Sequence, residues 1–115
     1  MPKDDRIRMC HMLDAARDAM SFVAGKRRED LDRDRMLTFA LVRAVEVIGE
    51  AASKVSPEAR ERFSEIPWPK IIGQRNRLIY GYDDINLDIL WETITKALPP
   101  LVQTLERIEA SGSPE

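Results

Sequence analysis

The stretch that decides the fold is LDRDRMLTFALVRAVEVIGEAASKV, residues 31–55. Its apolar residues recur at steps of three and four, which is the spacing of one face of an α-helix. We therefore predict a long helix from about Leu31 to Val55 that buries this face. The positions of the face are Leu37, Leu41, Ala44, Ile48, Ala51 and Val55.

The opposite side of this predicted helix carries a second, half-apolar face. At about 100° per residue, it gathers Phe39, Val42, Glu46, Gly49 and Ser53. A glycine in such a face favours close contact with another helix, either within the same bundle or across a homodimer. Glu46 then either pairs with a cation such as Arg43 or belongs to a functional site.

Helical periodicity also dominates the segments on either side. Ser56 followed by Pro57 is typical of an N-cap and first helical position, and it predicts a short helix through Phe63. Pro99 and Pro100 should kink or restart the last helix. The other predicted boundaries are a first helix from Asp4 to about Ala24 ended by Gly25, a helix opened by Pro69 that runs to about Tyr80 or Tyr82, and a last helix capped by Asn86.

These elements predict an all-α protein, an up-and-down bundle of four main helices plus a short one. At 115 residues the chain is long enough for one core. We place a single domain at residues 1–110 and a disordered tail at 111–115. Charged residues make up 33% of the chain but the net charge is only -2, so any nucleic-acid contact must come from a local patch.

Few residues are candidates for metal or covalent chemistry. A single cysteine and a single histidine cannot form a structural zinc site. The helical angle of His11 predicts an exposed, inert side chain, and we interpret Cys10 as a packing residue. No glycine-rich phosphate loop or metal-ligand cluster is present, so we expect no cofactor and no metal. The N-terminus lacks an apolar region and no apolar run approaches a membrane span, which favours a cytoplasmic protein.

The stretch RNRLIYGYDD, residues 75–84, is the most unusual in the chain. On a regular helix Arg75 and Tyr82 share a face, whereas Tyr80 points about 140° away from Arg75. Arg75 and Tyr80 therefore meet only if Gly81 ends the helix or if two copies combine across a two-fold axis. An arginine fork is suited to a phosphate. Alternatively, Arg75 pairs with Asp83 or Asp84 and the tyrosines pack.

Several separated motifs resemble the HepT-like HEPN proteins. They are AVEVIGEAASKVSPEAR, IPWPKIIGQRNRLIYGYDDINLDILW and LPPL, and the resemblance extends from DDRIRMCHMLDAA to LPPLVQTLERI. It implies a small helical bundle that dimerises, as a homodimer or higher even oligomer. It also implies an RNA-cleaving toxin of a toxin–antitoxin pair, whose partner is a minimal nucleotidyltransferase of the MntA type.

The resemblance also implies roles for single residues. The family hallmark is R-x4-H-x-Y, in which the arginine and histidine of two protomers form the ribonuclease site and the tyrosine receives AMP from ATP. Here Arg75 holds the arginine position, Tyr82 the modified tyrosine, and Asn76 and Glu46 would orient the site. Tyr80 replaces the histidine.

This replacement leaves two hypotheses open. Histidine titrates near pH 6.5, whereas tyrosine titrates near pH 10 and is a poor base at neutral pH. The chain is therefore either an endoribonuclease with Tyr80 in the acid–base position, or a catalytically inactive subunit that binds and is modified by the nucleotidyltransferase.

Overall fold

The computed structural model describes residues 1–78 and 84–111. Their regular elements are all helical, so the all-α prediction is confirmed within these ranges. The elements are α1 Lys3–Val23, α2 Asp30–Arg33, α3 Arg35–Ser53, α4 Pro57–Arg62, α5 Trp68–Leu78, α6 Leu87–Glu92, a π-helix Thr93–Ala97 and α7 Leu98–Ser111. None of these helices is both long enough and apolar enough to cross a bilayer.

Helix α3 packs against both α1 and α5, and α1 also packs against α7. The predicted face of α3 is buried, with Leu41 fully inaccessible to solvent and Ile48 3% exposed. Alanines of α1, including Ala16 and Ala19, are also fully buried. Small side chains such as these let neighbouring helices approach each other closely.

A buried carboxylate links the start of α1 to the end of α3 and shows the relative direction of the two helices. Asp5, at the start of α1, is only 4% exposed. Its two oxygens accept hydrogen bonds from the backbone N–H of Ser56 at 2.8 Å and from the Ser56 hydroxyl at 2.7 Å. Because Ser56 lies just beyond the end of α3, the two helices are antiparallel. The Ser56 hydroxyl also accepts from the N–H of Ala59, which confirms the predicted cap of α4.

The prediction of one helix over residues 31–55 is wrong at its start. Asp34 adopts an extended conformation between α2 and α3, and its side chain accepts a hydrogen bond from the N–H of Leu37. Aspartate is a strong N-cap because its carboxylate satisfies an unpaired N–H of the first turn. Asp34 therefore starts a new helix, and the hydroxyl of Thr38 donates to the carbonyl of Leu31 across the break.

The interruption predicted at Pro99 and Pro100 is confirmed in a specific form. Both prolines lie in the first turn of α7, and the π-helix Thr93–Ala97 directly precedes it. Neither proline has an N–H to continue the α-helical pattern. The N–H of Leu98 reaches back five residues to the carbonyl of Thr93, which is the π-helical pattern. Asn86 caps α6 as predicted, by accepting from the N–H of Ile89.

Candidate active site

Arg75 lies in the last turn of α5. Both ends of this helix are anchored in the protein. At its start, the indole of Trp68 donates to the carbonyl of Phe63 at 3.1 Å. At its end, Leu78 is fully buried, and its carbonyl accepts from the N–H of Asn86 at 2.7 Å. Arg75 is therefore presented on a fixed helix.

Arg75 pairs with Glu46 of α3. Its Nε donates to the carboxylate of Glu46 at 2.9 Å, and the two side chains are 57% and 29% exposed. Glu46 thus pairs with this cation and not with Arg43, within the part of the chain that the structure describes. The two terminal nitrogens of Arg75 make no hydrogen bond to any other residue in 1–78 or 84–111, so the guanidinium retains donors for a ligand.

Gly49 explains why these two side chains meet. A β-carbon at this position would lie 3.2 Å from the backbone carbonyl oxygen of Ile71. Helices α3 and α5 therefore touch through backbone at this point. The sequence left open whether Gly49 contacts a helix of the same bundle or of a second copy, and the contact within the bundle is present. Glu46 precedes Gly49 by about one turn and Arg75 follows Ile71 by about one turn, so the crossing brings them together.

Beside the crossing lies an open cleft of about 310 Å³. Its charged lining consists of Arg43, Glu46, Glu50 and Arg75, and Gly49 also lines it. Glu50 lies 3.6 Å from the ammonium of Lys54, and Glu46 pairs with Arg75, so each carboxylate of the cleft has a cationic neighbour. Arg43 is exposed. Arg75, whose terminal nitrogens are not bonded within the described residues, is the group of this cleft that is suited to hold an anion.

Two of the predicted site residues lie outside the described residues. Tyr80 and Tyr82 belong to the segment 79–83, so whether either tyrosine approaches Arg75 stays a prediction. Asn76 is exposed on α5 next to Arg75. The structure therefore brings together Arg75 and Glu46 among the sequence candidates, and it shows Asn76 on the same helix.

Two other candidates can be compared with their predicted environment. His11 is exposed on α1, as predicted. Cys10 is also exposed, so its interpretation as a packing residue is wrong. Neighbouring atoms remove some water from the thiol, and this desolvation and the carboxylate of Glu109 raise the pKa of Cys10, which favours the protonated, less nucleophilic form. No cluster of metal-binding side chains occurs in the described ranges.

Sequence reasoning missed one polar residue that supports the site. Gln74 is 6% exposed; its amide donates to the hydroxyl of Thr93 at 2.6 Å and its carbonyl oxygen accepts from Arg77 at 3.1 Å. The bond to Thr93 ties α5 to the π-helix, and the bond from Arg77 lies within α5. The signal was present, because Gln74 lies four residues before Leu78 on the buried side of the helix.

The fold and cleft define a small helical bundle with an arginine–carboxylate pair at a helix crossing. Residues 12–108 match the family described as "Ribonuclease HepT-like". The chain therefore belongs to the HepT-like ribonuclease family.

Three relatives illustrate the similarity. "Putative RNase TTE0752" of Caldanaerobacter subterraneus subsp. tengcongensis is 40% identical over 85% of this chain and 88% of its own length. "Putative RNase MJ1380" of Methanocaldococcus jannaschii is 29% identical over 90% of this chain and 95% of its own. "Probable ribonuclease HepT" of Thermococcus cleftensis is 32% identical over 70% and 73%. No solved structure matches the chain.

Proposed function

We propose that this protein is the toxin component of a toxin–antitoxin pair and cleaves RNA without a metal ion. The observation that carries the proposal is the Arg75–Glu46 pair in a member of the HepT-like ribonuclease family. Glu46 holds the guanidinium at Nε, and the terminal nitrogens remain for an RNA phosphate. Arg75 binds the phosphate and stabilises its developing charge, while Glu46 and Asn76 orient the site.

Tyr80 occupies the position that moves the proton. Its phenol can donate a proton or a hydrogen bond, but it is a weak base near neutral pH. Cleavage by the chain as it stands is therefore slow. The alternative is that the chain is a catalytically inactive subunit, whose role is to bind a nucleotidyltransferase and to be modified by it.

Two copies complete the site in this proposal. Because Arg75 and Tyr80 diverge on one regular helix, a homodimer or higher even oligomer with the segment 75–82 near its two-fold axis brings them together. The sequence also favours an interface through the half-apolar face of α3, with Phe39, Val42, Glu46 and Gly49 near the same axis. Two of these positions do not support it, since Gly49 contacts α5 within the chain and Val42 is buried. Static light scattering tests the assembly, and a monomer at micromolar concentration would contradict it.

A minimal nucleotidyltransferase of the MntA type is the proposed antitoxin, and Tyr82 is the proposed acceptor. The phenol oxygen of Tyr82 attacks the α-phosphorus of ATP, pyrophosphate leaves, and the phenolic proton passes to a base of the partner enzyme. The new phosphodiester adds a negative charge and a bulky nucleoside, which would neutralise Arg75 and exclude RNA. Mass spectrometry should place AMP on Tyr82; AMP on Tyr80, or AMP retained in Tyr82→Phe, would contradict this assignment.

The ribonuclease proposal is tested by restoring the histidine. Purified Tyr80→His protein, incubated with RNA and a metal chelator, should cleave faster than the unmodified chain because it supplies a group that titrates near pH 6.5. Arg75→Ala in that background should abolish the gain. Arg17→Ala is the matched control, since Arg17 is 48% exposed and pairs with Glu106 at 2.7 Å. Equal cleavage by the unmodified and Tyr80→His proteins would contradict the proton-transfer role proposed for position 80.

A further inference from the structure

The outer face of α3 carries cations and an exposed aromatic ring next to the cleft. Phe39 is 52% exposed, and the guanidinium carbon of Arg35 lies 5.0 Å from the centre of its ring. Arg43 follows one turn later and lines the cleft that contains Arg75. We call Arg35, Phe39 and Arg43 the α3 track. At about 1.5 Å per residue, Arg35 to Glu46 spans about 16 Å along the helix, enough for a few nucleotides.

The charges along the α3 track differ from those of the whole chain. The net charge of the protein is -2, yet no acidic residue occurs between Asp34 and Glu46. Both flanking carboxylates are engaged, because Asp34 caps α3 and Glu46 pairs with Arg75. The track is therefore a local positive strip on an acidic protein, which is the kind of surface that a polyanion recognises.

The exposed aromatic ring indicates a second property of the ligand, a planar group that can stack on the ring. Proteins that bind single-stranded nucleic acid combine a positively charged path for the backbone with aromatic side chains on which bases stack. Phe39 supplies such a ring, and Arg35 and Arg43 lie one helical turn before and after it. A protein partner with a purely apolar surface would leave both arginines without a counter-charge.

We propose that the α3 track binds single-stranded RNA and leads the strand to Arg75, with one base stacked on the face of the Phe39 ring that Arg35 does not cover and a neighbouring phosphate held by Arg43. This inference rests on the proposed ribonuclease function and identifies single-stranded RNA as its substrate class. A second copy of this chain is disfavoured as the occupant, since a two-fold axis at Phe39 would place arginines of one copy against arginines of the other.

Fluorescence anisotropy of a labelled single-stranded oligo(A) RNA with the full chain tests the proposal. Phe39→Leu keeps an apolar side chain but removes the ring, and it should weaken Kd about tenfold. Phe39→Trp should bind within about twofold of the unmodified protein, because stacking is restored. Phe22→Leu, at the exposed phenylalanine of α1, is the matched control and should leave Kd unchanged.

The salt dependence of the same binding reaction separates the two kinds of contact. Arg43→Ala should reduce the magnitude of the slope of log K against log salt concentration by about one, whereas Phe39→Leu should leave the slope unchanged.

If Phe39→Leu binds as the unmodified protein does while Arg75→Ala binds more weakly, the α3 track is wrong and the proposed function stands. If the unmodified protein itself does not bind RNA, both the α3 track and the proposed ribonuclease function are wrong. A change of oligomer mass in Phe39→Leu would show that this face is a subunit interface instead.

Discussion

The two crossings made by α3 differ in how they are built. Against α1, helix α3 presents a continuous apolar face, and the crossing is fixed at its far end by the buried Asp5–Ser56 hydrogen bonds. Against α5, it presents Gly49, so that backbone meets backbone and charged side chains remain beside the contact. The first arrangement stabilises the fold. The second leaves an open cleft, where the Arg75–Glu46 pair is accessible to a ligand.

The difference should appear first in stability. Leu41 is fully buried on the apolar face of α3, so Leu41→Ala should lower the free energy of unfolding by about 2–5 kcal/mol. Phe39 is the larger side chain but is 52% exposed on the opposite face, and Phe39→Ala should cost less than about 1 kcal/mol. Urea denaturation measures both. Equal losses would mean that the outer face of α3 is packed against something in solution.

The buried carboxylate gives the next largest effect. Asp5→Ala removes the acceptor of both Ser56 hydrogen bonds and should cost about 1–3 kcal/mol. Asp4→Ala is the control, because Asp4 is exposed in the same turn of α1 and contributes less than about 1 kcal/mol through the helix dipole. If the two variants melt alike, the Asp5–Ser56 contact does not fix the α1–α3 crossing.

Two glycines on the facing helices of the other crossing form a matched pair. A β-carbon added at Gly73 of α5 would meet nothing within 4 Å, so Gly73→Ala should stabilise the protein by about 0.5–1 kcal/mol through helix propensity. Gly49→Ala gains the same propensity, but its methyl group would lie 3.2 Å from the carbonyl oxygen of Ile71. It should therefore show no gain, or a loss. A similar gain at both positions would mean that α3 and α5 separate easily.

The same contrast explains what the sequence could predict. The apolar face of α3 and the caps at Ser56 and Asn86 depend on residues that are close in sequence, and the structure confirms each of them. The pairing of Glu46 with Arg75 depends on where α3 crosses α5, and these residues are far apart along the chain. Gly49 indicates that a close contact exists, but a glycine does not identify the helix that touches it.

The remaining errors have local causes. Asp34 is hard to recognise as a cap because it lies in a charged run with two other aspartates, Asp30 and Asp32, and each of the three could start a helix. The prolines indicate an interruption, but the choice of a π-helix depends on which carbonyl the N–H of Leu98 can reach in the folded protein. The prediction for Cys10 follows from its residue type, since free cysteines are usually buried.

The smallest expected effect on stability belongs to the residue pair most closely tied to the proposed function. The partners are 57% and 29% exposed, and ion pairs with such access to solvent contribute about 0–1 kcal/mol. Glu46→Gln keeps the length of the side chain and an oxygen acceptor but removes its charge, so the free energy of unfolding should change by less than about 1 kcal/mol.

RNA binding by Glu46→Gln should stay the same or become tighter, because a carboxylate that repels phosphate is gone. Cleavage in the Tyr80→His background should fall, because Arg75 is held less firmly when the phosphate reacts. Glu106→Gln is the control, since Glu106 pairs with Arg17 in the same way on the α1–α7 side. A lower kcat with an unchanged KM would identify Glu46 as a positioning residue, whereas unchanged values of both would show that Arg75 acts without it.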